Sequence, residues 1–135
     1  MKHKIFLIIF STLGFIFLIL GGIHHKLTVD EDQKIFNEQE KRITLYLKYN
    51  TKVFKNVTFT KRDMTPMGSY VIDGYMNNDQ KMSFTAFASA PDNFQFVGSM
   101  SYTDKFGNNL KKEEKSIDQI EQEIYDKEHS NHEQH

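Results

Sequence analysis

The sequence predicts an α+β fold: an N-terminal transmembrane helix, then a long helix packed on a four-stranded antiparallel meander sheet, then a short C-terminal helix. Three observations predict it. A basic lead, Met1-Lys2-His3-Lys4, opens onto an uncharged run from Ile5 to Ile23. Apolar residues then recur at helical spacing as far as Leu47, after which the period drops to two. Four alternating stretches follow, joined by short turn-forming segments, and short connections favour a meander.

The first element is the uncharged run. Its nineteen residues would make a helix about 28 Å long, close to the hydrocarbon thickness of a bilayer. A cleaved signal usually has an apolar core of about 7–15 residues ending in a small-x-small site. Here only Gly21 and Gly22 stand at the exit, so residues 1–25 read as an uncleaved anchor. Leu20-Gly21-Gly22 looks like the start of a lipobox, but Ile23 holds the place of the lipid-bearing cysteine, and the chain has no cysteine. Lys2 and Lys4 precede the span, while His24, His25 and Lys26 and then Asp30-Glu31-Asp32 follow it. The positive-inside tendency puts the N-terminus in the cytoplasm and residues 26–128 outside the cell. Beyond Ile23 lie fifteen basic and eighteen acidic residues, a balance of −3 with histidine neutral. Such a balance argues against nucleic acid and against a polybasic lipid-binding face.

Thr28-Val29-Asp30-Glu31 fits a capping box and predicts a helix from about Val29 to Tyr49, stopped by Asn50. Ile35, Phe36, Ile43, Tyr46 and Leu47 form its apolar stripe. Val53 to Thr60 is the first expected strand, and Asp63 to Gly68 breaks the pattern. Tyr70, Ile72, Gly74 and Met76 share one side of the second strand. Asn77-Asn78-Asp79 turns the chain, because Asn and Asp tolerate left-handed φ. Met82, Phe84, Ala86 and Ala88 face inward from the third strand. Ala90-Pro91-Asp92-Asn93 turns it again into a fourth, carrying Phe94, Phe96, Gly98, Met100 and Tyr102. Lys105 to Lys115 reads as a polar loop. Ser116-Ile117-Asp118-Gln119 is a second capping box, opening a short helix with Ile117, Ile120, Ile124 and Tyr125 on one side. Residues 129–135 read as a disordered tail. Phe36, Ile43 and Leu47 are expected to bury against Phe59, Ile72, Phe84 and Phe96.

Histidine placement shapes the chemistry. His3, His24, His25, His129, His132 and His135 all lie outside the stretch Lys26 to Glu128. A Ser–His nucleophile pair, or a His-based zinc site, needs an imidazole held by packing. The reading is therefore a protein without catalytic residues, bound cofactor or metal. His129, His132 and His135 could line one helical face and hold a divalent ion, but a soluble terminus explains them more simply. Four of Asp63, Asp73, Asp79, Asp92 and Asp104 sit in expected turns, where Asp serves local hydrogen bonding. The loop from Met64 to Tyr70 mixes flexible methionines, a rigid proline and an aromatic. Met64, Pro66, Met67 and Tyr70 are the candidate partner-binding residues; the alternative is a turn whose methionines cap the core. Tyr75 and Phe87 could form a patch opposite the core, or the seat of the C-terminal helix.

Several linked segments carry a resemblance. They are Arg42-Ile43-Thr44-Leu45-Tyr46-Leu47-Lys48-Tyr49-Asn50, Phe54-Lys55-Asn56-Val57-Thr58-Phe59-Thr60, Pro66-Met67-Gly68, and Gly74-Tyr75-Met76-Asn77-Asn78-Asp79. In this order the chain resembles a domain-of-unknown-function family, number fourteen-thirty-three, of small staphylococcal-type envelope lipoproteins, over Lys34 to Ile124. The resemblance implies an extracytoplasmic, membrane-tethered domain. Some members act as immunity proteins against toxins exported by type VII secretion, a lipase among them. It thus implies a secreted, lipase-like toxin as the partner and steric binding as the mechanism. The departure is Ile23 in place of the lipobox cysteine, which shifts tethering to the helix through Ile5 to Ile23. A competing expectation is an envelope ligand-binding or secretion-accessory protein holding a small apolar molecule between helix and sheet, which a roomy cavity there would favour.

Overall fold

The computed structural model describes residues 2–131. The chain divides into two compact units, with the boundary in sequence between Ile35 and Phe36. Helix α1 spans Lys2–Asn50 and contributes to both. The expected restart at Thr28 is therefore not made: the backbone is helical through it. A capping box satisfies backbone N–H groups that have no intrahelical partner. In a continuing helix those groups bond to the preceding turn, and no proline interrupts this stretch. Gly21 and Gly22 weaken a helix by only about 1 kcal/mol each. Among the described residues no helix is long and apolar enough to cross a membrane. The anchor expected over Ile5 to Ile23 falls partly on side chains outside the described residues, including all those from 17 to 29.

The second unit is an α+β domain. Strands β1 (Val57–Met64), β2 (Tyr70–Met76), β3 (Ser83–Ala88) and β4 (Met100–Tyr102) form one antiparallel sheet in the order β1-β2-β3-β4. Period two buries one side of each central strand: Ile72, Gly74 and Met76 from β2, and Phe84, Ala86 and Ala88 from β3. Phe36, Ile43, Tyr46 and Leu47 of α1 are buried with them, as expected from their spacing. The Tyr46 ring meets Phe96 edge-on at 5.4 Å, and Phe36 meets Tyr70 in the same way at 5.2 Å.

Two strands depart from expectation. β1 begins four residues later than its alternation suggested, because Thr51 to Asn56 is fastened elsewhere. The Lys52 N–H donates to the Asn109 carbonyl, and the Asn77 side chain binds both the Val53 carbonyl and the Lys55 N–H. Between Phe59 and Lys61 the β1–β2 register shifts by a bulge. The alternation changes phase there, so Arg62 pairs with inward Ile72 and Met64 with inward Tyr70. β4 is short because a 3₁₀ turn over Ala90–Asp92 is followed by Asn93 and Phe94 at φ of 53° and 57°. Phe96 still reaches the core, from a loop. Its N–H donates to Oε1 of the buried Gln39 at 2.6 Å, and Gln39 Nε2 donates to Gln95 at 3.1 Å. Gln39→Leu keeps much of the volume and orphans that N–H. It should cost about 1–3 kcal/mol, read as a lower urea midpoint; an unchanged midpoint would mean that another acceptor takes over.

The expected loop after β4 contains a helix, α2 (Asp104–Asn108), capped by the Thr103 hydroxyl, with Phe106 fully buried. Five residues with one apolar anchor carry no readable period. Helix α3 spans Ile117–Ser130 and starts with the predicted capping box: Gln119 N–H to Ser116 Oγ, and Ser116 N–H to Gln119 Oε1. Ile117 and Ile120 are buried, whereas Tyr125 is exposed and stacks on His129 at 3.8 Å. The helix continues two residues past the expected boundary at 128, so His129 is helical and not part of a tail. His132 to His135 lie outside the described residues.

Candidate functional site

Helix α1 covers one face of the sheet, and the opposite face carries the residues of the other parity. These are Val71, Asp73 and Tyr75 from β2 and Ser83, Thr85 and Phe87 from β3, all half-buried. Tyr75 and Phe87 thus do lie opposite the core. The alternative cover, α3, is fastened to α1 instead. Asn50 Nδ2 donates to the Lys115 carbonyl and its Oδ1 accepts from the Lys115 N–H; Arg42 approaches Glu121 at 3.9 Å. The Tyr46 hydroxyl donates to Glu114 at 2.7 Å. Burial, and then this bond, raises the Tyr46 hydroxyl above its ordinary range, so it remains a donor.

The open face holds a depression of about 510 Å³, lined by Thr60, Asp73, Tyr75, Ser83, Thr85 and Ser101, among others. Its polar groups come from directly opposed residues, since Asp73 pairs with Thr85 and Thr85 with Ser101. Asp73 Oδ1 accepts from the Thr85 hydroxyl at 2.7 Å. Lys61 stands opposite Asp73 on β1, but its ammonium turns to Asp63 at 3.5 Å. Asp73 is the one carboxylate in the lining of this depression, and no imidazole joins it. The arrangement can donate and accept hydrogen bonds through Asp73, Thr85 and their neighbours. Among the described residues no group of three or more His, Cys, Asp or Glu side chains is placed to hold a metal ion.

Of the four candidate contact residues, the structure brings three to the surface. The Thr65 N–H donates to the Ser69 carbonyl and the Gly68 N–H to the Thr65 carbonyl, closing the β1–β2 turn. Gly68 takes φ of 84°, a left-handed value that suits glycine. Met67 is lifted to the tip, 88% exposed; Met64 and Pro66 are exposed beside it. Tyr70 does not belong with them. Inward parity on β2 puts it in the core at 9% exposure, between Phe36 and Phe94. Phe94, expected inside, is 37% exposed and lies within 3.8 Å of where a Gly68 side chain would begin. The surface apolar group is therefore Met64, Met67 and Phe94. Sequence reading missed Phe94 because alternation placed it in a strand, although Asn93 before it is a residue that favours the left-handed turn.

Comparison with known proteins agrees with this architecture. The solution NMR structure of the folded 79-residue fragment of Lin0334 from Listeria innocua is similar, with 37% identity and a TM-score of 0.56, over 67% of this chain and 94% of that one. No curated protein matches the chain. A family model described as a protein of unknown function, DUF1433, matches residues 35–122. The match takes in α1 from Ile35, the whole sheet, α2 and the first turns of α3, and the chain accordingly belongs to the DUF1433 family.

Proposed function

We propose that this chain is a membrane-tethered, extracytoplasmic binding protein that neutralises a secreted, lipase-like toxin of type VII export by covering it. The observation that carries the binding reading is the apolar tip of Met64, Met67 and Phe94 at the β1–β2 turn; the open sheet face adds a depression lined by hydrogen-bonding side chains. Exposed apolar groups and directional hydrogen-bonding groups are what a protein partner uses. The space between α1 and the sheet is occupied by Ile43, Leu47, Phe84 and Phe96, all buried, which favours a macromolecular partner over a small apolar ligand. The toxin class rests on the family resemblance read from the sequence.

The tether reading is supported by the first unit. Ile5, Ile8, Ile9, Phe10, Leu13, Phe15 and Ile16 each expose more than half of their surface. At 100° per residue they spread over more than half of the helix circumference, which suits a lipid surround better than one protein face. Tethering confines the domain to the membrane under attack and raises its concentration there. The test mixes purified full chain with a type VII secreted lipase. Stoichiometric inhibition without turnover is expected, weakened at least about tenfold by Met67→Asp with no fall in melting temperature. Cells should lose protection when residues 1–25 are removed and keep it with Ile23→Cys. Full protection by an unanchored cytoplasmic form would overturn the site of action, and turnover of the lipase or its substrate would overturn the steric mechanism.

A further inference from the structure

The free edge of β1 runs beside α1. Met64 stands opposite Tyr70, whose ring packs on Phe36; Arg62 donates to Asn37 and Glu40; and Phe59 lines a groove with Thr44, Leu45 and Lys48. Strand and helix thus pass each other in opposite directions. Between them lies a groove of about 590 Å³, with Phe59 and Leu45 half-exposed on its floor. Arg62 bridges one end to α1 through Glu40 at 2.8 Å. Past that bridge, on the Val57–Phe59 side of the bulge, no strand among the described residues pairs with the outer edge of β1. Half of the backbone N–H and C=O groups of an edge strand point away from its sheet.

Two cations stand on the helical bank. Lys41 and Lys48 both line the groove, both are exposed, and among the described residues neither side chain takes part in an ion pair or hydrogen bond. Seven residues apart, they lie on nearly the same side of α1, about 10.5 Å apart along its axis. Along an extended chain, residues i and i+4 point the same way about 13 Å apart, with i+2 between them. The mismatch is within the reach of two lysine side chains.

We propose that this groove takes an extended segment of the protein partner, which adds to the β1 edge at Val57–Phe59. The segment places an apolar side chain over Phe59 and Leu45, with a carboxylate two residues to either side on Lys41 and Lys48. Backbone pairing supplies attachment and the acidic-apolar-acidic pattern supplies selection. The inference rests on the binding-protein reading above and names how that partner is held.

The test uses full-length, isotope-labelled protein in neutral detergent micelles, titrated with a capped peptide of sequence TETLTET. Shifts are expected in the amide resonances of Val57, Thr58 and Phe59. Binding should weaken at least about tenfold in the Lys41→Glu, Lys48→Glu double variant and fall with rising salt. It should vanish when alternate peptide amides are methylated on the edge-pairing side. Both lysines are exposed, so the fold survives the substitutions. Equal binding of TKTLTKT, or shifts confined to the Met67 turn, would overturn the proposal. So would a concentration-dependent dimer in sedimentation that Lys48→Glu dissociates, because the groove would then belong to a second copy. A secreted partner lost on Met67→Asp but indifferent to the lysine changes removes this inference and leaves the binding reading intact. Peptide capture without any inhibited toxin does the reverse.

Discussion

Phe84→Ala should lower the unfolding free energy by about 3–5 kcal/mol. Phe84 is 3% exposed near the start of β3, on the face that α1 covers. Its ring meets Phe59 of β1 edge-on at 6.3 Å and Phe106 of α2 at 5.6 Å. One side chain therefore joins three elements, and its removal leaves a hole that none of them closes alone. Urea denaturation of the full chain reads the loss. An effect below about 1 kcal/mol would put Phe84 at the surface and invert the strand register, because a slip of one residue exchanges the two faces.

Gly74→Val should be comparably severe, about 3 kcal/mol, at the upper end of overpacking effects. A Cβ at Gly74 would sit 2.6 Å from the Thr58 carbonyl and 2.9 Å from the Phe84 ring. The ring can turn, but the carbonyl belongs to the neighbouring strand, so β1 must move away from β2. Hydrogen exchange separates this from general unfolding: amides of β1 should lose protection while those of α3 keep theirs. Coupling with Phe84 gives a second check. In a Phe84→Leu background part of the Gly74→Ala penalty should disappear, and the part set by Thr58 should remain. Full additivity would mean that the ring and the glycine do not meet.

The elements easiest to read from the sequence were those with one uninterrupted period. β2 and β3 alternate without a break, and the second capping box stands where α3 begins, so their faces and start were legible. The stripe of Phe36, Ile43, Tyr46 and Leu47 marked the buried side of α1 for the same reason. β1 was misplaced because the bulge before Lys61 reverses its phase, and a reversed phase reads as an ending. The start predicted at Thr28 failed because a cap sequence can also be carried inside a helix. Of the candidate surface, Met64, Pro66 and Met67 could be found from turn chemistry. Tyr70 was misassigned with them, although its parity with Ile72 already marked it as core. The lysine-banked groove was not legible, because Lys41, Lys48 and Phe59 come together only through the crossing of two elements.

The clasp at Asn50 sets an order of events during synthesis. The hairpins of the sheet close over connections of five, six and eleven residues, and each can form as soon as its second strand exists. Asn50 instead waits for Lys115, a partner 65 positions later, and for the Lys111 N–H that its own carbonyl accepts. Until that stretch arrives, the end of α1 keeps a buried-to-be amide and carbonyl in water, and Ile117 and Ile120 have nowhere to dock. Closing so distant a contact is slow on an open chain and quick once the sheet has already drawn the neighbouring Thr51 and Leu110 together. The C-terminal helix is thus a late arrival, and a chain halted before Lys111 would hold a formed sheet beside an unsealed helix end.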